Sequence, residues 1–259
     1  MGYNSTWKAH RHGLIEKGGT MLKNGERIED LKYKGLRIIR PPGGFTYGTD
    51  SVLLAGLSRA GRKESVVELC SGAGAIALLF GARTGARVIA VELRADLSDA
   101  AARSVRMNGL KNVEALQMDL RDAPRLIGYG GFDAAVCNPP YFSGGTRSPD
   151  EIRRMSAHQE NGVLDDVAQC AFRLLKNGGR FYMVYPASLI AGAFASLTGN
   201  GLEPKRIRFI SHREGKAPYL LFIEAKKLGG RGAIIEPNLY LTDINGDKTE
   251  EIKRIYHEQ

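Results

Sequence analysis

An apolar run from Phe132 to Cys137 ends abruptly in Asn138-Pro139-Pro140-Tyr141-Phe142: one amide, two prolines and two aromatic rings. A residue that precedes proline is pushed out of the helical region, so the chain stays extended and then stiffens. The side-chain oxygen of Asn138 can accept a hydrogen bond from an exocyclic amino group. The Pro139 carbonyl, with no ladder role to fill, can accept the other hydrogen. Two acceptors on one sp2 amine draw its lone pair out of conjugation and make a poor nucleophile usable. Tyr141 offers a face on which a flat base stacks. A plain strand-ending turn accounts for the prolines, but not for the amide and the ring beside them.

Other residues suited to ligand binding stand at the ends of other apolar runs. Val66-Val67-Glu68-Leu69-Cys70 leads into Ser71-Gly72-Ala73-Gly74, where glycines let the backbone approach a ligand and a helix start offers free N–H groups. Alone, a Gly-x-Gly turn fits a dinucleotide, a nucleotide or simple packing. Glu92 ends the next run, where a carboxylate can bind both ribose hydroxyls. Asp119 follows the third, placed to accept from an adenine amino group while Met118 and Leu120 pack the ring. A helix cap is the structural alternative for Asp119. The lysine of a Walker-type phosphate loop is absent.

These residues need a frame that brings them to one edge, and the alternation of elements supplies it. A short strand over 34–40 leads through Pro41-Pro42-Gly43-Gly44 to a helix that Thr49-Asp50 would cap, running to about Ser58. Strands are expected at 66–70, 87–91, 112–117, 132–137 and 180–185. Helices are expected at 74–84, 95–108, 163–176 and 187–199, the third closed by Asn177-Gly178-Gly179. Segments 202–210 and 217–226 read as a closing antiparallel pair. Alternating strands and helices imply a doubly wound, mainly parallel sheet, whose ligands bind beyond the strands' carboxyl ends.

Composition narrows the function classes. The chain has 259 residues, with 37 Lys and Arg against 28 Asp and Glu, and a net charge of +9. That balance favours an anionic partner such as nucleic acid. Cys70, Cys137 and Cys170 are too widely spaced for a disulfide framework or a zinc site and read as reduced thiols. With no apolar run of membrane-span length and no signal peptide, the expectation is a soluble cytoplasmic protein. Residues 1–20 lack periodicity and precede a second methionine, Met21; they read as an extension ahead of one domain over 21–259.

Asn138-Pro139-Pro140-Tyr141 resembles the signature of Rossmann-type S-adenosylmethionine-dependent methyltransferases that methylate amino groups. Thr46-Tyr47-Gly48-Thr49-Asp50-Ser51-Val52-Leu53-Leu54, and the tail from Lys216-Ala217-Pro218 through Glu224-Ala225-Lys226-Lys227 to Tyr256, resemble the bacterial tRNA1(Val) adenine-N6 methyltransferase family. Cys70 departs from the pattern, where many methyltransferases carry a glycine. The resemblance implies a class I fold, a seven-stranded, mostly parallel sheet with helices on both faces, and N6-methylation of an anticodon-loop adenine, position 37, in tRNA. It implies S-adenosyl-L-methionine as cofactor, with Glu68, Cys70, Gly72, Gly74, Glu92, Leu93, Met118, Asp119, Leu120 and Asn138 around it. Tyr47, Thr49 and Asp50 would close over its amino-acid end, and Asn138, Pro139, Pro140 and Tyr141 would hold the target amine. In-line methyl transfer rests on positioning and requires no metal.

Basic residues supply a candidate RNA rim. Arg147, Arg153 and Arg154 follow Tyr141, and Lys205, Arg206, Arg208, Arg213, Lys216, Lys226, Lys227 and Arg231 crowd the tail. Of these, Arg147, Arg153, Arg154, Lys216, Lys226 and Lys227 are the expected phosphate contacts, and a solvated surface is the alternative. His158 reads as structural or RNA-facing. Rival readings are guanine-N2 methylation of ribosomal RNA, glutamine methylation of a protein, and a non-catalytic RNA-binding module; a monomer is expected.

Overall fold

The computed structural model describes residues 22–43, 48–140 and 149–257, with the side chains of 149–161 outside the description. A hairpin of β1 (Arg27–Asp30) and β2 (Arg37–Arg40) opens the chain. Next come α1 (Thr49–Leu57), β3 (Ser65–Leu69), α2 (Ala75–Thr84), β4 (Arg87–Glu92), α3 (Ala95–Met107) and β5 (Val113–Gln117). The second half holds α4 (Ala123–Ile127), β6 (Phe132–Cys137), α5 (Pro149–Leu174), β7 (Leu175–Pro186) and α6 (Ile190–Gly199). β8 (Leu202–Arg213), β9 (Leu220–Lys227), β10 (Ile234–Ile235), β11 (Leu239–Thr242) and α7 (Glu250–Tyr256) complete it.

The main sheet runs β10-β8-β9-β7-β6-β3-β4-β5, with β11 also on β8. β5, β4, β3, β6 and β7 are parallel, and β9 enters antiparallel between β7 and β8. The expected seven strands are present, and two short ones, β10 and β11, extend the edge to nine. Strands covered on both faces are expected to be mostly apolar, and they are, with Glu68 of β3 a buried exception. Along β7, Tyr182 and Val184 join the core under α1 and α2, while Phe181 and Met183 join the core under α5 and α6. The order of β3, β4 and β6 reverses at β3, which puts the ends of all three at one switch point.

Three local expectations are corrected. Gly48, not Thr49 or Asp50, is the N-cap of α1, and no side chain caps it. α5 begins at Pro149, well before the expected 163, and proline suits the first helical turn. It ends at Leu174, and Asn177-Gly178-Gly179 instead forms an irregularity in which pairing with β6 jumps from Leu175 to Arg180. α4, β10, β11 and α7 have no counterpart among the expected elements; they are short, and length is what makes a periodic signal readable.

Glu68 faces the α2 side of the sheet, 2% exposed, and its Oε2 accepts the Ala77 N–H at 2.8 Å. It serves an orphan donor in the first turn of the helix. Burial pushes its carboxyl well above 4.5, the Ala77 bond opposes this, and nearby Glu92 adds to the rise. Below the unfolded value both states are protonated. As pH rises past it, the unfolded chain ionises while the folded chain does not, so stability falls until the folded-state pKa is passed. Glu68→Gln keeps an acceptor for Ala77 and removes that loss. Thermal melts should show the variant more stable than wild type above about pH 6, with the gap closing toward pH 4. A gap independent of pH would contradict the burial of a carboxyl there.

Candidate active site

Backbone bonds lock three strand ends into one edge. Ser71 N–H donates to Val91 O at 3.0 Å, and Met118 N–H to Glu92 O at 2.9 Å. β3 therefore ends beside β4, and β4 beside β5. The turn after β3 is tight: Cys70, Gly72 and Gly74 all have left-handed backbone, with φ of 55°, 55° and 85°. At Cys70 that conformation costs about 1 kcal/mol that glycine would not incur. A Cβ on Gly74 would stand 3.0 Å from Ala101 Cβ, so α2 and α3 meet closely there. A Cβ on Gly72 would meet nothing within 4 Å, leaving open space above the turn.

Glu92 is 9% exposed and held at both oxygens: Oε2 accepts Gly72 N–H at 2.8 Å and Oε1 accepts Arg94 N–H at 2.9 Å. Each oxygen keeps a second lone pair, so two further donors, such as adjacent ribose hydroxyls, can be accepted. Leu93 follows it with 62% exposure, and Met118 and Leu120 are half-buried at the neighbouring strand end. These give apolar surface for a flat ring. Asp119 is already engaged: Arg121 donates its N–H to Oδ1 at 2.9 Å and its guanidinium to both oxygens, holding the carboxyl below its usual range. The helix-cap alternative does not hold, since Asp122 is the N-cap of α4, and a ligand amino group would share the Asp119 oxygens with Arg121.

Asn138 sits directly beyond Cys137, whose partner in β3 is Leu69. Its Oδ1 is buried and has no hydrogen-bond partner among the described residues. A buried acceptor left unsatisfied costs about 1–3 kcal/mol, which a donor brought by a ligand would recover. Pro139 is buried and Pro140 exposed. The Ser71 hydroxyl, at the neighbouring strand end, is likewise buried without a partner. Tyr47, Tyr141 and Arg147 lie outside the described residues. Arg153, Arg154 and His158 fall on the first turns of α5, their side chains outside the description.

Two residues missed by sequence reasoning join this edge. Tyr219 hydrogen-bonds the Asp50 carboxylate, and its hydroxyl is pushed up chiefly by burial. His212 stacks on Tyr219 with centroids 4.4 Å apart and planes at 9°. Asp50, expected as a cap or cofactor contact, is thus oriented from the β8–β9 turn. The signal was Tyr219 itself, directly after the quoted Lys216-Ala217-Pro218.

Glu68, expected around the cofactor, is buried and bonds α2 through one carboxylate oxygen. Lys226 and Lys227 are corrected as rim residues. Lys226 pairs with Arg180, which pairs with Ala134, four residues before Asn138 and roughly 13 Å down the strand. Lys227 is buried, donating to Leu175 O at 2.8 Å and lying over the Phe172 ring. Antiparallel β9 carries both away from the site. Lys216, in the turn beyond the strand ends, is exposed on the site side.

The fold and this edge define a class: residues 66–179 match a family model described as "Methyltransferase domain", and the chain is an S-adenosyl-L-methionine-dependent methyltransferase of the class I fold. Its curated relatives include a tRNA1(Val) (adenine(37)-N6)-methyltransferase of Phocaeicola vulgatus, 28% identical, covering 69% of this chain and 76% of that one. A protein of the same name from Shewanella woodyi is 25% identical over 81% and 89%. These relatives bear out the resemblance read from the sequence. Among solved structures, a predicted O-methyltransferase from Agrobacterium tumefaciens superposes with a TM-score of 0.68 at 20% identity, covering 81% of this chain and 96% of that one, a likeness of fold.

The open space over Gly72 and the free lone pairs of Glu92 fit the cofactor's ribose. Glu92→Ala should weaken S-adenosylhomocysteine binding by about 1.5–3 kcal/mol in calorimetry. The loss should vanish for an analogue lacking both ribose hydroxyls. An equal loss for that analogue would assign Glu92 to the turn alone.

Proposed function

We propose that the chain methylates the N6 amino group of an adenine in tRNA, with adenosine 37 of tRNA1(Val) as the target nucleotide. The observation that carries this reading is the buried, unpartnered Asn138 Oδ1 at the switch point, beside the edge assigned to the cofactor. The names of the curated relatives support the substrate, and the net charge of +9 suits RNA.

When bound, S-adenosyl-L-methionine supplies an electrophilic methyl group. Asn138 Oδ1 and the Pro139 carbonyl accept the two amine hydrogens and hold the nitrogen's lone pair toward that methyl. As the nitrogen gains positive charge, both acceptors bind it more strongly, and that difference lowers the barrier. The surplus proton leaves to solvent from a strongly acidic alkylated amine, so no base is needed. Glu92 fixes the ribose, Asp50 held by Tyr219 faces the amino-acid end, and Tyr141 stacks the extruded base.

Asn138→Ala should therefore reduce single-turnover methylation of unmodified tRNA by roughly 10²-fold or more, with near-normal tRNA and cofactor binding. Tyr141→Ala should lose turnover and about 1–3 kcal/mol of stacking, and Tyr141→Phe should retain most of both. A wild-type rate in Asn138→Ala, or a methyl group on guanine, would reject the proposal.

The two ends of β9 make a separate test of the rim. Lys216→Ala should lower the salt slope of tRNA affinity by about one, whereas Lys226→Ala should leave it unchanged. The reverse result would place the RNA at the other end of the sheet.

A further inference from the structure

Away from the methyl-transfer edge, a groove of about 500 Å³ opens where the end of α1 meets α7 and β8. Five arginines line it, Arg59, Arg83, Arg206, Arg208 and Arg254, against two carboxylates, Glu236 and Glu251. Both carboxylates are already spent. Arg208 holds Glu251 through two bonds of 2.6 and 2.7 Å and also donates to Pro237 O. Arg206 holds Glu236 and Glu224 and donates to Leu57 O.

The other three arginines are not held by the groove's carboxylates in a hydrogen-bonded pair, although Arg254 lies near enough to Glu251 to feel its charge. Arg83 bridges the carbonyls of Ala55 and Ser58 with one terminal nitrogen, while its Nε is buried and has no partner among the described residues. Arg59 and Arg254 are exposed, and Arg254 bonds only a backbone carbonyl of its own helix, Glu250 O, at 3.2 Å. Among the described residues neither forms an ion pair within 4 Å. A groove of this size falls in the range of ligand sites. Planar guanidinium forks on its wall match the paired oxygens of phosphate or carboxylate, and of the two phosphate brings the higher charge. β8 lies three strands from β6, roughly 14 Å at ordinary strand spacing.

We propose that this groove is a phosphoryl-binding site, separate from the methyl-transfer edge. Its ligand is either the phosphodiester backbone of the RNA, which rests on the function proposed above, or a free polyphosphate compound.

The test uses the full chain and the double variant Arg59→Ala with Arg254→Ala, leaving Arg83 to hold the end of α1. Affinity for S-adenosylhomocysteine should be unchanged, reporting an intact fold and edge. Wild type should bind inorganic pyrophosphate in calorimetry, and the variant at least ten-fold more weakly; this arm needs no RNA and stands if the methylation reading fails. In the RNA arm, the salt slope of tRNA affinity should fall by one to two in the variant if the backbone is the ligand. A pyrophosphate loss with an unchanged RNA slope would support a free phosphate compound, and a reduced slope alone would support the RNA backbone. Identical pyrophosphate binding, or none in either protein, together with an unchanged salt slope, would overturn the proposal.

Discussion

The Glu92 carboxylate is the tie on which the site depends. One oxygen takes the Gly72 N–H and the other the Arg94 N–H, so a single side chain at the end of β4 fixes the turn after β3 and the approach to α3. With the backbone bonds Ser71 to Val91 and Met118 to Glu92, it binds three strand ends into one rigid edge. Catalysis by positioning needs such rigidity, because small displacements of reacting atoms cost orders of magnitude in rate.

That edge is bought against local costs that the surrounding core absorbs. Cys70 is held left-handed, Glu68 is buried as a carboxyl, and Asn138 Oδ1 waits without a donor. Each is unfavourable alone, and each lies within one turn of the ligand-facing surface. Strain and unsatisfied groups persist where packing over-determines them, and the two apolar layers on either side of β3 and β6 do so here. The three free thiols, Cys70, Cys137 and Cys170, gather at the same place; burial pushes the Cys137 thiol well up and that of Cys170 to about 12. Cys137 and Cys170 pack as apolar side chains rather than as reactive groups.

The closing strands decide which basic residues meet a ligand. The stretch from Lys205 to Arg231 carries eight Lys and Arg against Glu214 and Glu224, yet its basic members do different work. Arg206 and Arg208 are ion-paired on the flank of the sheet, Lys205 holds the Gly230 and Gly232 carbonyls, and Lys227 is inside. The antiparallel turn carries Lys216 to the site end and Lys226 to the other.

The sequence by itself determined the alternation of strands and helices, and with it the sheet whose strand ends collect Gly72, Glu92, Asp119 and Asn138. Period and run length are local properties, and a doubly wound sheet sends every parallel strand's carboxyl end to the same side. It also determined the acceptor role available to Asn138, because side-chain chemistry does not depend on fold. Only the tertiary structure decided that Glu68 supports α2, that Tyr219 orients Asp50, that Lys226 and Lys227 leave the site, and that five distant arginines share a groove. Those outcomes follow from strand direction, register and burial, which join residues nine positions apart for Glu68 and Ala77 and far more for the rest, and leave no periodic trace in the chain.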